Sequence, residues 1–60
     1  MTGKDVVKRL LAEGWELDRV SGSHHIFKKG KRTVTVPVHG SKDLKAGTWN
    51  NIQKQAGWKP

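Results

Sequence analysis

The 60-residue sequence contains no cysteine, and acidic residues are few, with 5 Asp and Glu against 12 Lys and Arg. The absence of cysteine excludes a disulfide framework, a CxxC redox pair and a zinc site built on thiolates. Apolar residues occur singly or in short runs such as Val6-Val7, whereas a bilayer span needs about 20 of them. The N-terminus also lacks the apolar segment of a signal peptide. We therefore expect one mature domain over residues 1–60, located in the cytoplasm and not in a membrane.

The positive charge is confined to one part of the chain. Acidic and basic residues cancel up to Phe27, so the whole net charge of +7 lies after it, where Asp43 is the only acidic residue. A one-sided basic field attracts polyanions, and nucleic acid is the commonest polyanion in a cell. The alternative is that these lysines only keep a small domain soluble.

The spacing of apolar residues predicts five elements in the order α-β-β-β-α: a helix over 3–13, strands over 15–20, 24–29 and 32–38, and a helix over 45–56. Three strands joined by short turns favour an antiparallel sheet with two helices on one face. The predicted fold is a two-layer α+β sandwich whose other sheet face is open to solvent.

Local signals mark the ends of these elements. Thr2 is a predicted N-cap and Gly14 a predicted left-handed C-cap of the first helix. Gly30-Lys31 predicts a two-residue hairpin turn. In the first strand, alternation places Trp15 and Leu17 on one face, which predicts a half-buried strand.

Two adjacent histidines begin the second strand. If the large aromatic Phe27 packs inward, then His25 shares that inner side, and His24 lies with Lys28 on the open face. Because His24 and His25 then point in opposite directions, they cannot ligate one metal ion, and no metal site is expected.

An exposed imidazole near cationic groups suits the cleavage of RNA. It can remove the proton of the ribose 2′-OH, while positive charge binds the phosphate and stabilises the transition state. This chemistry requires no metal and no cofactor. His24 is therefore a candidate general base or acid, although a lone exposed histidine is more often a polar strand residue than a catalytic one. The candidate RNA-binding cations lie in and beside the following hairpin: Lys28, Lys29, Lys31 and Arg32.

A third histidine and three tryptophans are further candidates. The hairpin register places residues 37–38 opposite 23–24, so His39 should return towards His24. Trp15 and Trp49 lie on apolar stripes and are predicted to pack in the core. Trp58 follows the second helix, and the sequence leaves open whether it packs there or stacks on bases.

Five segments together match a known pattern. They are 14–17 (GWEL), 22–27 (GSHHIF), 34–39 (VTVPVH), 43–48 (DLKAGT) and 52–57 (IQKQAG). With these segments in this order, the chain resembles the HicA toxin family, also called YcfA-like. The resemblance covers nearly the whole chain.

The resemblance implies a fold like that of a double-stranded-RNA-binding domain, and the activity of an mRNA interferase. Such a protein is the toxin of a type II toxin–antitoxin system and acts in stress responses. The catalytic histidine of the family's Gly-Ser-His motif falls on His24, with Ser23, His25 and His39 as auxiliary candidates. The resemblance also implies a HicB-type antitoxin that covers His24.

Three functions remain open on the sequence alone. The leading one is a metal-independent endoribonuclease that cleaves mRNA. A non-catalytic module that binds double-stranded RNA has the same fold and charge requirements. A protein-interaction domain with an acidic partner is the third. Cleavage that depends on His24 distinguishes the first from the other two.

Overall fold

A computed structural model describes residues 1–58 of the chain. Its elements are α1 (Gly3–Ala12), β1 (Glu16–Ser21), β2 (His24–Lys29), β3 (Arg32–Pro37) and α2 (Ala46–Ala56). The predicted α-β-β-β-α order and the α+β class are confirmed, and every predicted boundary lies within one residue of the observed one. None of the helices in residues 1–58 has the length and apolar character needed to cross a membrane.

Helix α1 is fixed at both ends by its own sequence. Thr2 Oγ1 accepts a hydrogen bond from the Asp5 N–H at 3.2 Å, and the Asp5 carboxylate accepts one from the Thr2 N–H at 3.0 Å, which completes a capping box. The backbone N–H of Thr2 thereby lowers the pKa of the Asp5 carboxyl group. At the other end Gly14 has φ 91°, as predicted for a left-handed cap.

The sheet has the strand order β1-β2-β3 and is antiparallel throughout. Gly22-Ser23 and Gly30-Lys31 connect the strands, and in each pair the glycine has a positive φ, 59° and 61° respectively. Glycine at the first central position of a two-residue loop is typical of a type II′ turn, whose twist matches that of the strands. The predicted hairpin at Gly30-Lys31 is confirmed.

Both helices pack on one face of the sheet. The buried apolar side chains come from all layers and form one core, and they are Val6, Leu10, Trp15, Phe27, Val34, Val36, Ile52 and Trp58. Thr33, Thr35 and His24 lie on the opposite, exposed face. The predicted two-layer arrangement with an open sheet face is therefore confirmed.

Strand β1 differs from the prediction because it is exposed along its whole length. Trp15 is buried just before the strand, but Leu17 is 49% exposed and Val20 is 51% exposed. Leu17 pairs with Phe27 and so faces the helix layer, yet the helices lie over β3 and leave this edge uncovered. The register also shifts between Leu17 and Arg19, as in a β-bulge, a common device at sheet edges. The prediction of a half-buried first strand is wrong.

Trp58 closes the core at the carboxyl ends of both helices. Its indole Nε1–H donates to Glu13 Oε1 at 2.7 Å, and its ring lies 3.9 Å from the Arg9 guanidinium carbon and 6.0 Å from the ring of Trp49. The hydrogen bond from Trp58 lowers the pKa of the Glu13 carboxyl group. Trp58 therefore packs in the core, which answers the question that the sequence left open.

Candidate functional site

His24 is exposed on the open face of the sheet, at the first position of β2. The Gly22-Ser23 turn directly precedes it, and Pro37 at the end of β3 is its partner across the ladder. The side chain therefore stands where the β1–β2 turn, the end of β3 and the following loop meet.

The segment 38–45 between β3 and α2 forms a groove with His24. The groove has a volume of about 440 Å³, and its lining consists of His24, Pro37, His39, Lys42, Asp43, Leu44, Lys45 and Thr48. His39 thus returns to His24, as the hairpin register predicts. A groove that contains two imidazoles and two ammonium groups can bind a phosphate and exchange protons with it.

Backbone contacts hold this segment in place. Its first residue, Val38, donates its N–H to the Ser23 carbonyl at 2.7 Å. Near its end, the Leu44 N–H donates to the Met1 carbonyl at 2.8 Å, and Thr2 and Asp43 form an isolated β-bridge. The groove is therefore anchored on both sides by backbone hydrogen bonds.

The N-termini of both helices lie at this end of the sheet. Gly3 of α1 packs so closely on the end of β3 that an added β-carbon would lie 2.5 Å from the Pro37 carbonyl oxygen. Helix α2 begins after Lys45, whose side chain makes no capping hydrogen bond, and its first turn has no acidic residue. Helix N-termini carry partial positive charge, which adds to that of Lys42 and Lys45.

The ammonium groups of Lys42 and Lys45 take part in no salt bridge within residues 1–58. The one carboxylate in the groove lining, Asp43, instead lies 3.4 Å from the N-terminal ammonium group of Met1. The groove is therefore electropositive and attracts anions.

Ser23 and His25, two of the auxiliary candidates, do not line the groove. His25 is half-buried on the helix-covered face, and its Nδ1 lies 3.4 Å from the Ser23 carbonyl oxygen. The same carbonyl accepts the Val38 N–H, so Ser23 contributes through its backbone to the position of the strand ends. The predicted opposite orientation of His24 and His25 is confirmed.

The cations predicted beside His24 lie towards the other end of the hairpin. Lys29 pairs with Arg32, and this pair lies five positions along the ladder from the pair of His24 with Pro37. The distance between the two pairs is about 17 Å at roughly 3.4 Å per residue. Lys29 Nζ donates to the Glu13 carbonyl at 2.7 Å, and Arg32 packs on Gly57. The expectation that Lys29, Lys31 and Arg32 adjoin His24 is wrong. His24 is at the start of β2 and these cations are at or beyond its end, so the length of the strand separates them.

Lys28 lies on the open face with His24, as predicted, but four positions further along β2. The cations that the structure brings to His24 are Lys42 and Lys45, which sequence reasoning missed. Their one signal was their position between His39 and the start of the second helix. Among residues 1–58, no three or more His, Asp or Glu side chains are grouped in a way that could hold a metal ion.

Comparison with known protein families matches most of the chain. The sequence model of the family described as the HicA toxin of bacterial toxin–antitoxin systems matches residues 3–58. No curated protein matches the chain. The matched range contains all five elements and every residue that lines the groove.

Proposed function

The chain belongs to the HicA toxin family of bacterial toxin–antitoxin systems, and we propose that it is a metal-independent endoribonuclease that cleaves mRNA. The observation that carries this proposal is the exposed imidazole of His24 in a groove with Lys42 and Lys45. In cleavage through the ribose 2′-OH, an imidazole can accept the 2′-OH proton and ammonium groups can stabilise the charge that develops on the phosphate.

In the proposed reaction, His24 acts as a general base on the 2′-OH of the nucleotide before the scissile bond. The 2′-oxygen then attacks the adjacent phosphorus, and the bond from phosphorus to the 5′-oxygen breaks. The departing 5′-oxygen takes up a proton, and the products are a 2′,3′-cyclic phosphate and a free 5′-OH. Lys42 and Lys45 stabilise the extra negative charge of the transition state, as preorganised cations do in phosphoryl transfer. DNA is not a substrate because it lacks the 2′-OH.

Flanking RNA contacts the cations nearer the Gly30 turn. Lys28 and Lys31 are exposed, and about 17 Å separates His24 from the end of β2 at roughly 3.4 Å per residue. They therefore bind phosphates some nucleotides away from the scissile bond. Lys29 and Arg32 add to the same field, although each also packs against a helix end. Such contacts are independent of sequence and weaken with salt.

An antitoxin of the HicB type is the proposed protein partner. His24 stands on an uncovered sheet face, so a protein that packs on this face would cover the imidazole and fill the groove. The substrate places the toxin in the cytoplasm, where unchecked cleavage of mRNA would arrest growth under stress.

The test is cleavage of labelled RNA by the purified protein in EDTA. Wild type should cleave, and His24→Ala should lower the rate by about 10²- to 10⁴-fold, the usual contribution of a general acid–base group. His25→Ala is the matched control, because it removes the adjacent imidazole from the opposite face. Cleavage by His24→Ala at the wild-type rate would contradict the proposal. Binding of double-stranded RNA without cleavage by wild type would favour the non-catalytic module instead.

A further inference from the structure

His39 lies in the groove with His24 and has no role in the reaction described so far. We propose that His39 is a second catalytic residue, the general acid that protonates the departing 5′-oxygen. This inference rests on the proposed function and assigns a further group to the same site.

The register of the sheet gives the spacing of the two imidazoles. Strand β3 ends at Pro37, but the hydrogen bond from Val38 to the Ser23 carbonyl continues the ladder for one more residue. His39 is then the diagonal neighbour of His24, two positions beyond Pro37. Diagonal neighbours in an antiparallel pair are about 7–8 Å apart. A phosphate group fits between two rings at that separation.

His24 and His39 also lie on the same side of the sheet. Side chains two positions apart on an extended chain point to the same side, so Pro37 and His39 share the side of His24. All three line the same groove. His25, the remaining histidine, lies on the other face and bonds to the Ser23 carbonyl. The fold therefore brings two of the three histidines to one phosphate-sized space.

Cleavage requires a proton donor beside the departing 5′-oxygen. When the 2′-oxygen attacks, a proton leaves towards His24, and the 5′-oxygen departs with a negative charge that needs a proton. One imidazole cannot accept the first proton and donate the second in the same step. In the proposed division, neutral His24 accepts the 2′-OH proton as the oxygen–phosphorus bond forms. The imidazolium of His39 donates its proton as the bond to the 5′-oxygen breaks, and both rings then exchange protons with water.

Lys42 and Lys45 cannot replace His39 in this role. Imidazole is the side chain suited to giving and taking protons near neutral pH, whereas an ammonium group is suited to stabilising negative charge. The lysines therefore supply charge, and the proton comes from His39.

A substrate with a sulfur atom in place of the scissile 5′-oxygen tests this assignment. A thiolate leaves without protonation because thiols are far more acidic than alcohols. On an ordinary RNA oligonucleotide, His39→Ala should be slower than wild type by about 10²-fold or more. On the 5′-thio oligonucleotide, the same variant should come within about tenfold of wild type, whereas His24→Ala should remain defective on both.

His39→Gln and His25→Ala complete the design. His39→Gln keeps a hydrogen-bonding side chain without a transferable proton and should behave like His39→Ala, and His25→Ala should resemble wild type. The inference is overturned if His39→Ala cleaves ordinary RNA at the wild-type rate, if it is equally defective on both substrates, or if His39→Gln restores activity. Each of those results leaves the proposed function standing. Failure of wild type to cleave either substrate would instead contradict the proposed function itself.

Discussion

The two ends of the β2–β3 hairpin both carry positive charge, but the cations at the two ends differ in what they contact. At the Gly30 turn the sheet meets the carboxyl ends of the helices, where Lys29 donates to the Glu13 carbonyl and Arg32 packs on Gly57. At the opposite end, Lys42 and Lys45 lie beside the start of α2 and take part in no salt bridge within residues 1–58.

The helix dipoles explain the difference. A cation near a helix C-terminus stabilises the fold by about 0.3–1 kcal/mol, and a cation near an N-terminus destabilises it by a similar amount. At the Gly30 end, Lys29 and Arg32 therefore stabilise the fold. At the His24 end, Lys42 and Lys45 lie near a helix N-terminus, where positive charge lowers the stability of the fold. Such a local cost in stability is typical of a functional site, here one that binds an anion.

The largest expected effect on stability is at the His24 end, where α1 meets β3. Gly3→Ala should destabilise the protein by about 1–3 kcal/mol, the usual cost of overpacking, because its β-carbon would lie 2.5 Å from the Pro37 carbonyl oxygen. Cleavage by the variant should also fall, since Pro37 is the partner of His24 across the ladder. Urea unfolding and an RNA cleavage assay measure the two effects.

Gly47→Ala is the matched control for this change. A β-carbon at Gly47 meets no atom within 4 Å, and alanine in a helix is more stable than glycine by about 0.5–1 kcal/mol. The control should therefore move the urea midpoint in the opposite direction. A Gly3→Ala variant as stable as wild type would show that the helix is free to move away from β3.

A smaller effect is expected at the Gly30 end and depends on pH. The pKa of the Glu13 carboxyl group is lowered in the folded protein, chiefly by the Trp58 indole N–H. Its stabilising contribution is therefore fully present above the ordinary value of about 4.3. This stabilising contribution is lost as the pH falls through the lowered pKa that Glu13 has in the folded protein.

Glu13→Gln removes the titrating group and keeps an acceptor for Trp58. The advantage of wild type over Glu13→Gln in urea unfolding should be larger at pH 7 than at pH 3. In a Trp58→Phe background, which lacks the indole donor, this dependence on pH should shrink. An advantage that grows towards acid pH would contradict the assigned cause.

Local signals in the sequence were enough for the elements and their order. Thr2 caps α1, and Gly22 and Gly30 each begin a turn between strands, because capping and left-handed backbone are properties of a few adjacent residues. The alternation of β2 also placed His24 and His25 on opposite faces. These features need no knowledge of distant parts of the chain.

Features that depend on distant contacts were missed. The exposure of Leu17 follows from helices that lie over β3, and no pattern within β1 indicates it. Lys42 and Lys45 reach His24 because Leu44 bonds to Met1 and Asp43 pairs with Thr2, contacts between the two halves of the chain. Lys29, Lys31 and Arg32 were expected beside His24 because they are close to it in sequence. An extended strand, however, carries the chain about 17 Å in five residues at roughly 3.4 Å per residue.

Two double variants, each lacking two lysines, compare the ends of the hairpin directly. Lys42→Ala with Lys45→Ala removes the cations beside His24, and Lys28→Ala with Lys31→Ala removes two exposed cations nearer the turn. Their kcat/KM for RNA cleavage, compared with wild type at the same low and the same high salt concentration, tests the central claim. The first pair should lower it by about 10²-fold, as loss of transition-state stabilisation does, and the second by less than about tenfold, with a loss that fades as salt rises. Equal losses, or a larger loss from Lys28→Ala with Lys31→Ala, would contradict the account.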